Sequence, residues 1–114
     1  MSEESTFTLK HLQREVAVWS HYNFPKGQPH QPLLGAAEEI GELCHAHLKD
    51  EQGIRGTHEE HTAAKIDAVA DVIIYLADYC ARNSIDLQKS VEETWIKVKR
   101  RDWRKDELNG QGIS

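Results

Sequence analysis

The sequence predicts an all-α protein with four helices packed as one bundle, and three observations lead to this expectation. In four separate segments, apolar residues recur at spacings of three and four, as in helices with one buried face. No segment shows the strict alternation of apolar and polar residues that is typical of a half-buried strand. The 114 residues suit a single domain over positions 1–114, and four-helix packing is the economical way to enclose its modest core.

The first half of the chain contains two of the predicted helices. Helix one runs from about Thr6 to Tyr22 and is ended by the segment NFPKGQPHQP, which holds all three prolines of the chain. Helix two begins near Pro32, a residue suited to a first helical turn, and stops before Gly53. The apolar positions expected to face the core in these two helices are Leu9, Leu12, Val16, Trp19, Leu33, Ala37, Ile40, Cys44 and Leu48.

The second half supplies the other two helices. Helix three opens at Thr57 with the capping-box pattern THEE and extends to about Asn83. Its centre, AVADVIIYLADYCA, is apolar on almost every side, which indicates neighbouring helices all around it. Helix four begins at Asp86 and is expected to turn its apolar residues inward, namely Leu87, Val91, Trp95 and Val98. The core then spans about 6–103, and the polar residues 104–114 are expected to form a mobile tail.

Composition excludes several classes of protein. The net charge of −5 argues against a general electrostatic grip on nucleic acid. No apolar run approaches the length of a membrane span, and the acidic start MSEESTFTLK lacks the layout of a signal peptide. Cys44 and Cys80 are too few for a disulfide framework and fall at apolar helix positions. We therefore expect buried free thiols and a cytoplasmic protein.

Carboxylates interrupt the apolar faces of helices two and three. Glu38, Glu39 and Glu42 lie within one turn on helix two, and Asp67 and Asp71 lie one turn apart on helix three. A short link makes these helices antiparallel, so that their acidic faces can meet. Two like charges 4 Å apart repel by about 4 kcal/mol at an effective dielectric constant near 20, which favours retained protons or a bound cation. The alternative is a solvated acidic face.

The chemistry of such a cluster indicates a particular cation. Ligands that are all carboxylate oxygens suit Mg²⁺ or Mn²⁺ rather than zinc or copper. Mg²⁺ usually takes only a few carboxylates from a protein and completes its coordination with water and phosphate oxygens of a substrate. A partly open carboxylate cluster therefore predicts a phosphorylated substrate.

The segments EEIGE at 38–42 and DAVADVIIYL at 67–76 resemble the MazG-like nucleotide pyrophosphohydrolases, of the all-α nucleotide pyrophosphatase superfamily. That family carries E-E-x-x-E on one helix and E-x-x-D on the next, and the resemblance covers roughly Leu9 to Trp103. The first half of the motif is matched fully. The second half is matched at Asp71, whereas position 68 is alanine in place of the usual glutamate.

The resemblance implies an activity and roles for individual residues. The family uses Mg²⁺ to split nucleoside triphosphates into monophosphate and pyrophosphate, and its members form dimers or tetramers. Glu39, Glu42 and Asp71 would be metal ligands, and Glu38 a further ligand or the group that orients the attacking water. Asp67 is one position from the missing glutamate and reaches over the same helical turn. It is the expected replacement ligand, and the alternative is that Asp67 pairs with Lys65 or with a neighbouring subunit.

Residues for substrate contact are expected on helices one and four. Lys97 and Arg101 belong to a basic cluster near the end of helix four, and Lys97 matches a lysine that contacts the triphosphate in the family. The alternative is that these cations are solvated partners of the helix dipole. Trp19, His21 and Phe24 lie near the end of helix one. His21 and Phe24 could stack on a base, whereas the apolar stripe favours Trp19 as a core residue.

Two rival functions remain from sequence alone. Glu42 and His45 form a Glu-x-x-His unit like those of ferritin-like di-metal redox bundles, although helix three offers no histidine near Asp67 or Asp71. A non-catalytic helical interaction module is the other rival. The almost wholly apolar helix three predicts at least a homodimer that buries parts of helices three and four, with a homotetramer as a further possibility.

Overall fold

The computed structural model describes residues 6–108 and Gly110, and within this part of the chain it contains four helices and no strand. The helices are α1 Leu9–Asn23, α2 Gln31–Gln52, α3 His58–Arg82 and α4 Leu87–Val98. The all-α prediction with four helices is therefore confirmed. The predicted tail at 104–114 lies partly outside the described residues.

Side chains close the ends of the helices where the sequence indicates. The Thr57 hydroxyl accepts a hydrogen bond from the Glu60 amide at 3.1 Å, and the Glu60 carboxylate accepts one from the Thr57 amide at 2.8 Å. This reciprocal pair is the predicted capping box. Asp86 likewise caps α4 by accepting from the Lys89 amide at 3.0 Å. Gly53 ends α2 in the left-handed conformation that favours glycine.

α2 and α3 form the main packing unit and run antiparallel. Near the start of α2, Gly35 lies against the ring of Tyr75, and near its end, Asp50 pairs with Lys65. A Cβ atom at position 35 would lie 2.3 Å from Tyr75 Cε1, so only glycine permits this approach of the two helices. The buried residues of these helices are mostly small: Pro32, Gly35, Ala36, Ala46, His61, Ala68, Ala77 and Cys80.

The prediction of which face of α2 lies in the core is wrong. Leu33, Ile40 and Leu48 are each about half exposed, at 47%, 50% and 47%. Cys44 is also exposed, whereas Cys80 is buried as expected, and burial raises the pKa of its thiol. The physical reason is that α2 has α3 as its main neighbour, and it turns small residues toward that helix because they allow the closest approach.

α1 packs on α3, and α4 is attached to α1. Gln13 joins α1 to the start of α4, because its amide donates to the Ile85 carbonyl at 2.7 Å and its carbonyl accepts from the Leu87 amide at 3.0 Å. No residue of α4 is buried. The expectation that α4 turns Val91, Trp95 and Val98 into a core is therefore wrong for the single chain, since α4 packs mainly on α1 and only at its start.

The single chain leaves a large apolar surface uncovered. Its radius of gyration is 18.0 Å, against about 13 Å for a compact chain of this length. Apolar side chains on α3, including Ile66, Val69 and Ile73, are also substantially exposed. Within the described part of the chain, no helix is both long and apolar enough to cross a membrane.

Candidate functional site

Two adjoining clefts lie along the α2–α3 pair. The first, here called the acidic cleft, has a volume of about 410 Å³. Its lining includes Glu39, Glu42, His45, Arg55, Glu60, His61, Asp67, Ala68 and Asp71. The second, the aromatic cleft, has a volume of about 670 Å³ and is lined by α1, the following loop, α2 and α3. Its lining includes Trp19, Ser20, Phe24, Tyr75, Asp78 and Arg82.

Glu39 and Asp71 line both clefts and thus form the border between them. The antiparallel register explains this, since the middle of α2 lies beside the middle of α3. Glu42 and Asp67 extend the acidic lining away from the aromatic cleft. The two helices therefore bring together four of the five carboxylates that the sequence singles out.

The environment of Glu39 disfavours its charged form. Partial desolvation raises the pKa of the Glu39 carboxyl above its ordinary value, and the nearby Asp71 carboxylate raises it further. Smaller contributions in the same direction come from Glu42 and Glu38. Lys65 of α3 is engaged elsewhere, because its Nζ binds Asp50 at 2.7 Å.

Asp67 is available for a ligand. The alternative in which it pairs with Lys65 is not seen, and no other described residue forms a hydrogen bond or ion pair with it. Ala68, the residue in place of the usual glutamate, is 3% exposed and lines the same cleft. Asp67 thus provides a carboxylate at the wall where position 68 has none.

The donor set of the acidic cleft fits Mg²⁺ or Mn²⁺ by its chemistry, since its acidic members offer only oxygen. Among the described residues, no three His, Cys, Asp or Glu side chains converge closely enough to form a ready metal-binding group. The carboxylates therefore share a cleft without meeting at one point. Desolvation and then the neighbouring carboxylates raise the pKa of Glu39, and a bound cation would offset both effects.

Aromatic side chains form one wall of the second cleft. The rings of Trp19 and Phe24 meet edge to face, with centroids 5.9 Å apart. Trp19 is 57% exposed, so its expected place in the core is wrong. The reason is that α1 packs on α3 through Val16 and Ser20, which are buried, and leaves Trp19 at the edge of that contact.

A polar network at the far end of the aromatic cleft joins α1 and the loop that follows it to α3. Asp78 accepts from Arg82 Nε at 3.0 Å through one oxygen and from the Ser20 hydroxyl at 2.8 Å through the other. Arg82 also donates to backbone carbonyls of the loop between α1 and α2, at Gly27 and Phe24. The network fixes that loop beside the cleft.

The structure does not bring every candidate residue to these clefts. Glu38, His21, Lys97 and Arg101 line neither of them. Glu38 and His21 lie on exposed faces of their helices, and Lys97 and Arg101 lie on exposed α4 or just beyond it. Within one chain, the expected triphosphate cations of α4 are therefore separate from the carboxylates.

Several lining residues were not expected from the sequence, among them Arg55, Tyr75, Asp78 and Arg82. Arg55 has a positive φ of 60° in the turn between α2 and α3, an unusual conformation for a non-glycine residue. The segment GIRG marks that turn, but nothing in it indicates that the cation faces the acidic residues. Asp78 and Arg82 have the i, i+4 spacing of a helical ion pair, which was the available signal.

Comparison with known proteins adds no assignment: no protein-family model matches this chain, and no curated protein matches it significantly.

Proposed function

We propose that this protein is a Mg²⁺-dependent nucleoside triphosphate pyrophosphohydrolase that converts a (d)NTP and water into a (d)NMP and pyrophosphate. The observation that carries the proposal is the shared border of the two clefts at Glu39 and Asp71. A nucleotide has a charged phosphate chain at one end and a flat aromatic base at the other. The acidic cleft with a bound cation suits the first, and the aromatic cleft suits the second. The resemblance of EEIGE and Asp71 to the MazG-like motif supports the same reaction.

The size and lining of the aromatic cleft support a small-molecule ligand. Its volume of about 670 Å³ falls within the roughly 300–1,000 Å³ usual for such sites. Trp19 and Phe24 offer aromatic surfaces for stacking. The base would lie between these rings and Tyr75, with the phosphates directed toward Glu39 and Asp71.

The residues of the acidic cleft would have different roles in the reaction. Glu39, Glu42, Asp67 and Asp71 would hold the cation, which when bound would neutralise the triphosphate charge and favour attack at phosphorus. A carboxylate oxygen of this set that does not contact the cation would accept a hydrogen bond from the attacking water and orient it. Arg55, on the same cleft and without an ion-pair partner among the described residues, would bind phosphate oxygens.

The proposal includes an oligomer, at least a homodimer. Uncovered apolar residues lie on α2, α3 and α4, including Ile40, Val69 and Trp95. Lys97 and Arg101 line neither cleft of their own chain. If they contact a triphosphate, they would do so across a subunit contact.

One observation favours a di-metal redox bundle as the second candidate. Glu42 and His45, the Glu-x-x-His unit, both line the acidic cleft. The second histidine of that cleft, His61, has its Nε2 2.9 Å from the Ile54 carbonyl oxygen, which occupies this nitrogen. A redox site would need such a histidine from α3, so the hydrolase accounts better for the cleft.

The test is incubation of purified protein with a panel of ribo- and deoxyribonucleoside triphosphates, with and without Mg²⁺, followed by phosphorus NMR. The proposal predicts Mg²⁺-dependent appearance of monophosphate and pyrophosphate in equal amounts. Diphosphate and inorganic phosphate as products, or no turnover of any nucleotide, would contradict it. Coloured iron binding without turnover would favour the redox bundle.

A further inference from the structure

Arg82 binds the loop that carries Phe24, the residues between α1 and α2. Its Nη1 donates to the Gly27 carbonyl at 2.8 Å, and its Nη2 donates to the Ser20 hydroxyl at 2.7 Å and to the Phe24 carbonyl at 3.2 Å. Its Nε donates to Asp78 at 3.0 Å. One guanidinium thus joins the end of α1, two points of the loop and α3.

The donor inventory shows what Arg82 is able to do. A guanidinium has five N–H donors, and four of them have acceptors in these contacts. The Arg82 and Asp78 side chains are only 17% and 14% exposed, and both Asp78 oxygens are already engaged. Although Arg82 lines the aromatic cleft, it has at most one donor left for a ligand. Arg82 therefore supports the wall of the cleft and is not a main contact for the ligand.

Two further contacts fit this interpretation. A Cβ atom at position 27 would lie 3.1 Å from Arg82 Nη1, so glycine gives the guanidinium its close approach to the loop. The neighbouring Asn83 donates to the Pro29 carbonyl at 2.9 Å and so holds the same loop from the same end of α3. The loop is therefore attached to α3 at several points, of which Arg82 provides most.

We infer that Arg82 is a positioning residue for ligand binding, which is fixed by Asp78 and Ser20 and holds Phe24 against Trp19 at the aromatic cleft. This inference rests on the proposed function for the identity of the ligand, a nucleotide whose base stacks there. Arg82 should therefore affect the binding of the nucleotide but not the reaction at its phosphates. The reason is that Arg82 lies at the end of the aromatic cleft and lines no part of the acidic cleft.

The experiment compares Arg82→Gln, Arg82→Lys and Ser20→Ala with the matched control Arg14→Gln, an exposed arginine of α1 that lines neither cleft. Hydrogen exchange of peptides spanning 24–30 is measured beside KM and kcat for the best nucleotide. We expect both Arg82 variants to exchange at least about 10-fold faster in this loop. KM should rise about 10-fold or more while kcat stays within about 3-fold. Lysine should not rescue, because an ammonium cannot bridge four acceptors in a plane.

Each result decides the inference. Unchanged loop exchange in the Arg82 variants overturns it, as does faster exchange with unchanged KM, or a loss confined to kcat. Ser20→Ala, which removes one hydroxyl from the network, gives the same test with a smaller effect if the Arg82 variants fail to fold. Absence of nucleotide turnover by the wild-type protein would instead refute the proposed function, and the loop exchange would still show whether Arg82 holds the loop.

Discussion

Glu39 of α2 and Asp71 of α3 both line the acidic cleft and the aromatic cleft, and desolvation followed by the Asp71 carboxylate raises the pKa of Glu39. The two residues are 32 positions apart in the sequence, and antiparallel packing of two helices brings them together. A ligand that occupies both clefts must pass this pair. In the proposed reaction the phosphate chain of the nucleotide meets the cation there.

Asp67 is predicted to be a cation ligand that replaces the missing glutamate at position 68. Asp67→Asn is nearly isosteric, removes the negative charge and leaves the described contacts of α3 intact, since Asp67 forms no ion pair there. Loss of a ligand should raise the Mg²⁺ concentration needed for half-maximal turnover by about 10-fold or more. A Mg²⁺ titration of activity measures this, with Glu59→Gln at the start of α3 as control. A wild-type Mg²⁺ dependence in Asp67→Asn would rule out the role.

Arg55 is predicted to bind the triphosphate within its own chain. Hydrogen bonds to charged groups contribute about 1.5–3 kcal/mol, so Arg55→Gln should raise KM by about 10- to 100-fold. The change should be larger for the triphosphate than for the monophosphate product, which carries less charge. Steady-state kinetics with competition by the monophosphate would show this difference. Equal KM values for wild type and variant would assign phosphate binding to other cations, such as Lys97.

The stability of the contact between α2 and α3 should depend on pH, because Asp50 takes part in it. Hydrogen bonds from Lys65 and then His58 lower the pKa of Asp50 to about 2 from the ordinary 3.8. Because the folded pKa lies below the unfolded one, this contribution to stability is present above about pH 3.8 and is lost as pH falls through about 2. Asp50→Asn should therefore melt a few degrees below wild type at pH 7, and the gap should close toward pH 2. A gap that is independent of pH in thermal melts would contradict this account.

The uncovered face of α4 should lie in a subunit contact. Trp95 is 57% exposed and Val91 is 45% exposed on a helix with no buried residue, and such apolar surface is typical of an interface. Light scattering at micromolar concentration should give at least twice the chain mass of 13.0 kDa. Trp95→Glu should shift the protein toward monomer. A monodisperse wild-type monomer would refute the prediction.

The sequence was sufficient to predict the four helices but not to predict which of their faces are buried. Thr57, Asp86 and the three prolines act locally, so the helix ends near them were predictable. The start of α1 was not, because it lies at Leu9 after the cap Thr8 and not at about Thr6. Leu33, Ile40 and Leu48 form a helical stripe, yet α2 meets α3 through glycine and alanine, because close approach of two helices depends on small residues. Spacing alone does not show which of two faces a neighbour will cover.

The candidate site was predictable in part for a similar reason. Glu39, Glu42, Asp67 and Asp71 were found because i, i+3 and i, i+4 spacing places side chains together on one helix face. Which face of α2 meets α3 depends on contacts such as Gly35 with Tyr75, and this orientation leaves Glu38 outside the clefts. Arg82 reaches a loop 55 positions away at Gly27, and no local pattern indicates such a contact.

The most direct test of the account is Mg²⁺-dependent pyrophosphate release by Glu39→Gln and Asp71→Asn beside the wild type and Glu59→Gln. Loss of an outer partner of a metal ligand costs about 10- to 100-fold, so loss of a ligand at the shared border should lower kcat/KM by about 100-fold or more. Glu59→Gln should keep wild-type turnover, and circular dichroism should show that all variants are folded. Wild-type pyrophosphate release by either border variant would contradict the central claim that the reaction takes place where the two clefts meet.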